Sequence, residues 1–302
     1  MARQTKSYLK GSNRNFDNVL DSYLPRNPQS TGATGAHLRY SGLAGYAPTD
    51  VIIGKGGNGT NFTAADPFAE SSTQLFPLGS ELIYGDRKFR YAQAGGVALT
   101  PGTLQQAKVA VGADHQDLTL TGAVSAGATS ISIETAGTDL TLNQYAEGYL
   151  WVNDGTGEGQ AFRIKSHPAH THSSDATCVF TTYDPVVTAL VASATSQVSI
   201  QENIYKATVI APHAETGDVV GVAPRPVQAS YYYWVQTSGP AAVLVAGTVV
   251  IGNVVVRALA SVDGAAAIEV AGGSSLDVNP HVGRVIAAAA NTEYALINLT
   301  IE

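Results

Sequence analysis

The chain of 302 residues is poor in cysteine, methionine and tryptophan, with one, one and two copies respectively. A single cysteine, Cys178, excludes a disulfide within the chain and a zinc site built from several thiolates. It also indicates a reducing compartment of synthesis. Because Cys178 lies in a strand-like run, we expect a buried and unreactive thiol.

Charge is also scarce: charged residues make up 14% of the chain, whereas a soluble domain usually carries about 25%. With 44% hydrophobic residues and a net charge of -7, the composition predicts a folded chain rather than a disordered one. No run reaches the roughly 18 apolar residues of a membrane helix. Charges interrupt the first twenty residues where a signal peptide needs an apolar core, so we expect neither segment.

The scarce charges are distributed unevenly. Residues 1–50 hold 6 basic and 3 acidic residues, which leaves 11 basic and 21 acidic residues in the remainder. Turn-forming Pro and Gly residues interrupt the first segment, so residues 1–70 are predicted to form an extended N-terminal arm, with a terminus lacking fixed structure as the alternative. The arm residues expected to contact a partner are Arg3, Lys6, Lys10, Arg14 and Arg26.

Short strand-like segments dominate the rest of the chain. ELIYGDRKFRYAQ, from residue 81, predicts a hairpin with its turn at Gly85 and Asp86, within a hairpin region at 71–116 that joins the arm to the body. A middle β domain is predicted at 117–204 and a C-terminal β domain at 205–302. The latter includes YYYWVQT and AVLVAG, which are predicted as separate strands. The expected fold class is all-β: the arm followed by two or more small β-barrel or sandwich modules.

Two polar segments have the composition of metal sites. His167, His170 and His172 lie in HPAHTH, and in an extended segment the last two share a face, with Asp175 as a third ligand. The alternative is a polar loop that carries histidines without a metal, and we predict no metal. NDGTGEG, at 153–159, resembles a calcium loop but lacks the alternating acids of that motif, so a turn between two strands explains it more simply.

The aromatic run at 231–234 is the strongest candidate for a contact surface within the β region. On a strand, Tyr231 and Tyr233 point to one face and Tyr232 and Trp234 to the other. Large aromatic side chains with polar groups are enriched in binding hot spots, so Tyr231, Tyr233 and Trp234 are predicted interface residues. The alternative is a core strand.

Catalytic patterns are not evident. No Gly-x-Ser-x-Gly motif occurs, and the carboxylates are scattered. We therefore expect no catalytic residue, no cofactor and no enzymatic activity.

Three stretches resemble structural proteins of tailed-bacteriophage virions, in particular capsid decoration or cement proteins. They are YGDRKFRYAQAGGVALTPGTLQQ, NQYAEGYLWVNDGTGEGQAFRIKSHPA and YYYWVQTSGPAAVLVAGTVVIGNVVV. The resemblance implies a β-rich module that binds the outer face of the major capsid shell, often as a homotrimer. It also implies a location on the capsid surface after synthesis in the host cytoplasm. The lack of long apolar runs predicts no membrane contact, and the few basic residues beside the aromatic run of an acidic body predict no direct nucleic-acid contact.

Two other functions stay open. One is another virion component from the tail, neck or baseplate, or the major capsid protein itself. The long helix expected of a major capsid protein has no counterpart in the periodicity of the sequence. The other is a carbohydrate-binding protein or hydrolase on a β scaffold, with sugar platforms at Trp151, Tyr231, Tyr233 and Trp234.

Overall fold

Strands are the long regular elements of the residues that the structure describes. The computed structural model describes residues 65–109, 115–135, 137, 139–173, 177–259, 262–269 and 280–302. Within these residues there are sixteen strands and no α-helix, which confirms the all-β prediction. The strands are β1 (Glu81–Tyr84), β2 (Arg87–Gln93), β3 (Leu104–Gln106), β4 (Leu118–Leu120), β5 (Ser130–Glu134), β6 (Tyr149–Gly155), β7 (Ala161–Ser166), β8 (Thr177–Thr182), β9 (Ser193–Gln201), β10 (Val209–Ile210), β11 (Val219–Val222), β12 (Tyr232–Leu244), β13 (Val254–Arg257), β14 (Ala266–Ile268), β15 (His281–Ala287) and β16 (Tyr294–Thr300).

The middle of the chain forms a closed barrel. Its six strands are hydrogen-bonded in the order β4-β5-β8-β7-β6-β9, and β9 closes the barrel by pairing with both β4 and β6. Alternating sequences such as SISIE in β5 place one side chain of every two inside. The interior is filled by aliphatic and aromatic side chains and by Cys178, which is buried as expected; the largest of them are Tyr145, Phe162, Phe180, Leu120, Ile131, Ile133, Leu150 and Ile164.

The other ten strands form a second, curled sheet that resembles half a barrel. Eight of them follow the order β10-β3-β11-β12-β16-β15-β13-β14, while β2 pairs with β12 and β1 pairs with β2. The β1–β2 turn lies at Gly85 and Asp86, since Tyr84 pairs with Arg87, which confirms the predicted hairpin. Two groups of buried apolar residues line the concave side of this sheet and the region near β2.

The barrel is inserted into this sheet. The chain leaves the sheet after β3, builds all six barrel strands, and returns to the sheet at β10, directly beside β3. The predicted hairpin region and the predicted C-terminal region therefore share one sheet. Residues 66–70, assigned to the arm by the sequence, also contact this sheet: the Glu70 carboxylate accepts a hydrogen bond from the Gln228 backbone N–H at 3.0 Å.

Strand β12 is longer than the sequence indicates. YYYWVQT and AVLVAG are predicted as two strands, but the structure joins them into one strand of 13 residues. The pairing shifts by one residue between Gln236 and Ser238, which is a β-bulge. The first half of β12 pairs with β2 and the second half with β16. The bulge thus lets a single strand connect two parts of the curled sheet.

Candidate interaction surfaces

The predicted aromatic interface lies largely inside the fold. Tyr233 is 1% exposed, and its hydroxyl forms a 3.0 Å hydrogen bond with the hydroxyl of Thr208. Burial raises the pKa of Tyr233. Tyr231 is half-buried against the same apolar cluster.

The opposite side of this strand is covered by the chain's own aromatic rings. Trp234 is 3% exposed, and its ring centroid lies 5.0 Å from that of Tyr91 and 5.3 Å from that of Phe76. Tyr232 stacks on Tyr91 at 5.9 Å. The predicted alternation of faces is correct, but Tyr233 and Trp234 are core residues, as in the alternative interpretation. The other predicted contact residues, Arg3, Lys6, Lys10, Arg14 and Arg26, lie outside the described residues.

The histidines of HPAHTH have separate structural roles. His167 is 3% exposed and stacks on Phe180 with ring centroids 4.7 Å apart. Its Nε2 accepts a hydrogen bond from the Tyr145 backbone N–H at 2.9 Å, and its Nδ1 donates to the Pro168 carbonyl at 2.8 Å. These two partners require the neutral ring with the proton on Nδ1. Burial lowers the pKa of His167, which favours the same form.

His170 and His172 do converge, as predicted for one face of an extended segment, but on a hydroxyl group. Thr135 Oγ1 lies 2.8 Å from His170 Nε2 and 3.3 Å from His172 Nδ1. Asp175 lies outside the described residues. No group of three or more potential metal-ligating side chains occurs in the part of the chain that the structure describes. The NDGTGEG segment forms the end of β6 and the turn to β7, which agrees with the simpler interpretation.

A cluster of ionisable residues lies where the chain enters and leaves the barrel. Lys108, after β3, places its Nζ 2.9 Å from Glu202 Oε1, just after β9. Gln144 in the barrel donates to the same oxygen at 3.1 Å. Lys206 donates to the backbone carbonyl of Asn143 at 3.2 Å and also to that of Gln144. Burial lowers the pKa of Lys206.

The second half of this cluster links the barrel to residues 74–78. The Glu147 carboxylate accepts hydrogen bonds from the Leu78 backbone N–H at 2.8 Å and from Gln74 Nε2 at 2.9 Å. Asn203 donates to the Glu147 carbonyl at 2.9 Å. These polar groups form hydrogen bonds and an ion pair with other groups of the same chain. The cluster therefore holds the barrel and the curled sheet together, and we call this connection the joint.

The barrel exposes a row of aromatic and basic side chains that the sequence does not indicate. Tyr149 on β6 is paired directly with Arg163 on β7, and the Arg163 guanidinium lies 5.9 Å from the ring centre of Tyr183, which follows β8. Both tyrosines are 52% exposed. Trp151 lies on the same outer face and is half-buried. Alternation in GYLWVND predicts the outward positions on β6, but only the strand pairing places Tyr183 beside them.

The curled sheet exposes an apolar surface on its convex side. We call the outward side chains of Ala242 and Leu244 (β12), Ile286 (β15), and Tyr294 and Leu296 (β16) the apolar sheet face. Ala242 pairs directly with Leu296, and Leu244 with Tyr294, and side chains in such pairs lie on the same side of a sheet. Tyr294 is 51%, Ile286 41% and Leu296 39% exposed.

Comparisons with protein-family models, with curated proteins and with solved structures find no match to this chain. In the described residues, no helix has the length and apolar character that crossing a membrane requires. Function must therefore be argued from the surfaces of the molecule.

Proposed function

We propose that this chain is a structural protein of a tailed-bacteriophage virion, a decoration or cement protein that binds the outer face of the major capsid shell as a homotrimer. It would be synthesised in the host cytoplasm and become part of the capsid surface. Stabilisation of the shell would come from binding alone, without a catalytic residue or a cofactor.

The observation that carries this proposal is the exposure of large apolar side chains on both the barrel and the curled sheet. Val187 and Val191 near the barrel, and Val250 and Ile251 beside the sheet, are between 43% and 76% exposed. Contiguous exposed apolar surface is typical of protein interaction sites, and on the curled sheet Leu296 is paired directly with Ala242 and with Ala287. A protein that attaches to a shell through wide contacts needs such surface on more than one side.

The polar groups of the joint favour the same class of function. Lys108, Glu202, Lys206 and Glu147 are engaged in bonds that hold barrel and sheet together. A decoration protein needs a firm connection between its parts because it must resist mechanical load. The resemblance of three sequence stretches to virion proteins provides independent support.

The test is attachment to undecorated capsid shells, measured by cosedimentation of the purified full-length chain. We expect saturable binding at symmetric positions of the shell. Deletion of residues 1–30 should leave the circular dichroism spectrum unchanged and abolish attachment, because the basic arm supplies part of the contact. Attachment that survives the deletion would contradict the role of the arm, and full-length chain that never binds shells would contradict the proposed function.

The copy number per particle distinguishes a decoration protein from the other virion components. A decoration protein is present in hundreds of copies per particle, whereas a tail, neck or baseplate protein is present in far fewer. Quantifying the stained band against the major capsid protein gives this number. A copy number in the range of tail proteins would show that the chain is a tail, neck or baseplate protein instead.

A second candidate function, carbohydrate binding, is favoured by the row formed by Tyr149, Arg163 and Tyr183 on the barrel. Exposed tyrosine rings combined with a hydrogen-bonding guanidinium suit a sugar ring, which has both apolar and hydroxyl surfaces. Of the platforms predicted from sequence, Tyr233 and Trp234 are buried, and Trp151 lies beside this row. Glycan-array binding that is lost in Tyr149→Ala and Tyr183→Ala but kept in Val187→Ala would establish it.

A further inference from the structure

The apolar sheet face lacks acidic side chains in a chain that is otherwise acidic. Residues 51–302 contain 11 basic and 21 acidic residues. The strands β12, β15 and β16 contain no Asp or Glu, and the outward polar positions of the last two are His281, Arg284, Asn298 and Thr300. Carboxylates lie only at the margins of these strands: Glu269 Oε1 is 3.2 Å from His281 Nε2, Glu293 accepts a hydrogen bond from the Ala290 backbone N–H at 3.0 Å, and Glu302 accepts one from Arg90.

The apolar side chains form a continuous patch. Leu296 is paired with Ala242 on one side and with Ala287 on the other, so β12, β16 and β15 all contribute to it. The turn after β12 is bonded to β15, since the Gly252 backbone N–H donates to the Val285 carbonyl at 2.9 Å. Ile251 in this turn is 72% exposed.

We propose that the apolar sheet face is the surface through which copies of this chain associate with one another. Two acidic bodies repel each other, and the repulsion is smallest where neither surface carries a carboxylate. A basic partner would instead be attracted to acidic surface such as the exposed Asp154 and Glu158 at the far end of β6. A second copy of the chain is therefore the occupant that the charge distribution favours.

The apolar character supplies the binding energy. Buried apolar area stabilises an association, and aromatic and aliphatic residues at the centre of a patch contribute most. Tyr294 and Leu296 lie at that centre on a paired strand, so their backbone is already ordered before association. Outward Ser238 on β12 and Asn298 and Thr300 on β16 provide a polar rim, in which Arg284 is paired directly with Asn298.

The test measures the mass of the full-length chain by sedimentation equilibrium. Wild type should form an oligomer, and Leu296→Glu should weaken its association at least about tenfold, because it buries a charge in each copy. Asn298→Arg, in the rim of the same face, should weaken the association less, because a rim charge stays partly solvated, and it leaves every apolar side chain unchanged. Val187→Glu, which places the same charge on a 76% exposed residue of the barrel half, is the matched control and should leave the mass unchanged.

Three results would overturn the proposal: a monomeric wild type, oligomers that persist in both face variants, or equal dissociation in the Val187→Glu control. The inference rests on the proposed function only for the number of copies in the oligomer, which the proposed function gives as three. An oligomer that never binds shells would refute the proposed function but not the association of copies through the apolar sheet face. A monomer that binds shells would refute that association but not the binding to shells.

Discussion

His167 shows how one buried residue makes stability depend on pH. Its Nε2 is the acceptor for the Tyr145 backbone N–H, so protonation of the ring would replace an acceptor by a donor and leave two donors facing each other. The pKa of His167 in the folded chain is lowered from 6.5 by burial. The unfolded chain consequently takes up the proton at a higher pH than the folded chain does.

We predict that His167 contributes to acid lability. As the pH falls below 6.5, the unfolded state binds a proton that the folded state rejects, so the free energy of unfolding decreases toward the lowered pKa of His167. The measurement is urea unfolding between pH 7.5 and pH 5. His167→Gln should flatten this dependence, and His281→Gln, at an exposed site, should not. An unchanged slope in His167→Gln would contradict the assignment.

Gly155 is required for closure of the barrel. It has a φ of +81°, and a Cβ atom at this position would lie 1.6 Å from the carbonyl oxygen of Thr195 on the neighbouring strand β9. Gly127 has a similar φ of +88°, but its Cβ would meet nothing within 4 Å. The two glycines share the backbone conformation and differ in the space around it.

We predict that alanine substitutions at these two glycines separate the cost of backbone strain from the cost of a steric collision. Gly127→Ala should lower the free energy of unfolding by about 1 kcal/mol, the cost of a left-handed conformation for a residue with a Cβ. Gly155→Ala should lower it by more than about 4 kcal/mol, because β9 must move to remove the collision. Thermal or urea unfolding measures both, and equal losses would show that the contact with Thr195 is unimportant.

At the scale of elements, β12 is the strand that connects the parts of the curled sheet, and its bend is held by one buried side chain. Gln236 is 2% exposed, and its Nε2 lies within hydrogen-bond distance of the carbonyls of Ser238 (3.1 Å), Gly239 (3.3 Å) and Pro240 (3.0 Å). Gly239 allows the close approach of the β1–β2 turn, since a Cβ would lie 2.4 Å from the Asp86 carbonyl oxygen.

We predict that Gln236→Met destabilises the sheet by about 1–3 kcal/mol, because buried carbonyl groups lose their donor while the size of the side chain is kept. Gln197→Met is the control: Gln197 is more exposed, and its amide is 3.5 Å from the Asp117 carbonyl. It should change the free energy of unfolding by less than about 0.5 kcal/mol. Similar effects of the two substitutions would show that the bend does not depend on Gln236.

At the scale of the whole molecule, the barrel is an insertion whose two ends lie side by side. Lys108 and Glu202, at the entry and the exit, form an ion pair with 2.9 Å between Nζ and Oε1. The barrel has its own apolar interior, and all six of its strands pair within it. Such a segment has the properties of a unit that folds by itself.

We predict that residues 115–203, expressed alone, fold cooperatively with a free energy of unfolding of about 5 kcal/mol. Circular dichroism and urea unfolding followed by tryptophan fluorescence would report this, since Trp151 is the only tryptophan in the fragment. As a control for fold integrity, Phe180→Ala, in the centre of the barrel core, should prevent folding of the fragment. A fragment without a cooperative transition would show that the barrel depends on its joint with the sheet.

Features that depend on neighbouring residues could be predicted from the sequence, whereas features that depend on contacts between residues far apart in the chain could not. TSISIE, GYLWVND and QAFRIKS alternate apolar and polar residues, and each forms a barrel strand with the expected residues inside. The sequence does not indicate the row formed by Tyr149, Arg163 and Tyr183, because its members come from β6, from β7 and from the residue after β8, and the barrel decides how these strands pair. The burial of Trp234 was left open because Tyr91 and Phe76, which cover it, are distant in sequence.

The sequence by itself determined the all-β character, the positions of most strands and the Gly85–Asp86 turn, since these depend on alternation and on turn residues that act locally. Only the tertiary structure decided that the barrel is inserted between β3 and β10. It also decided that β12 is one strand and which apolar side chains remain on the surface. Those features depend on which strands pair across long separations, and that choice reflects the packing of the whole core rather than the pattern of any one segment.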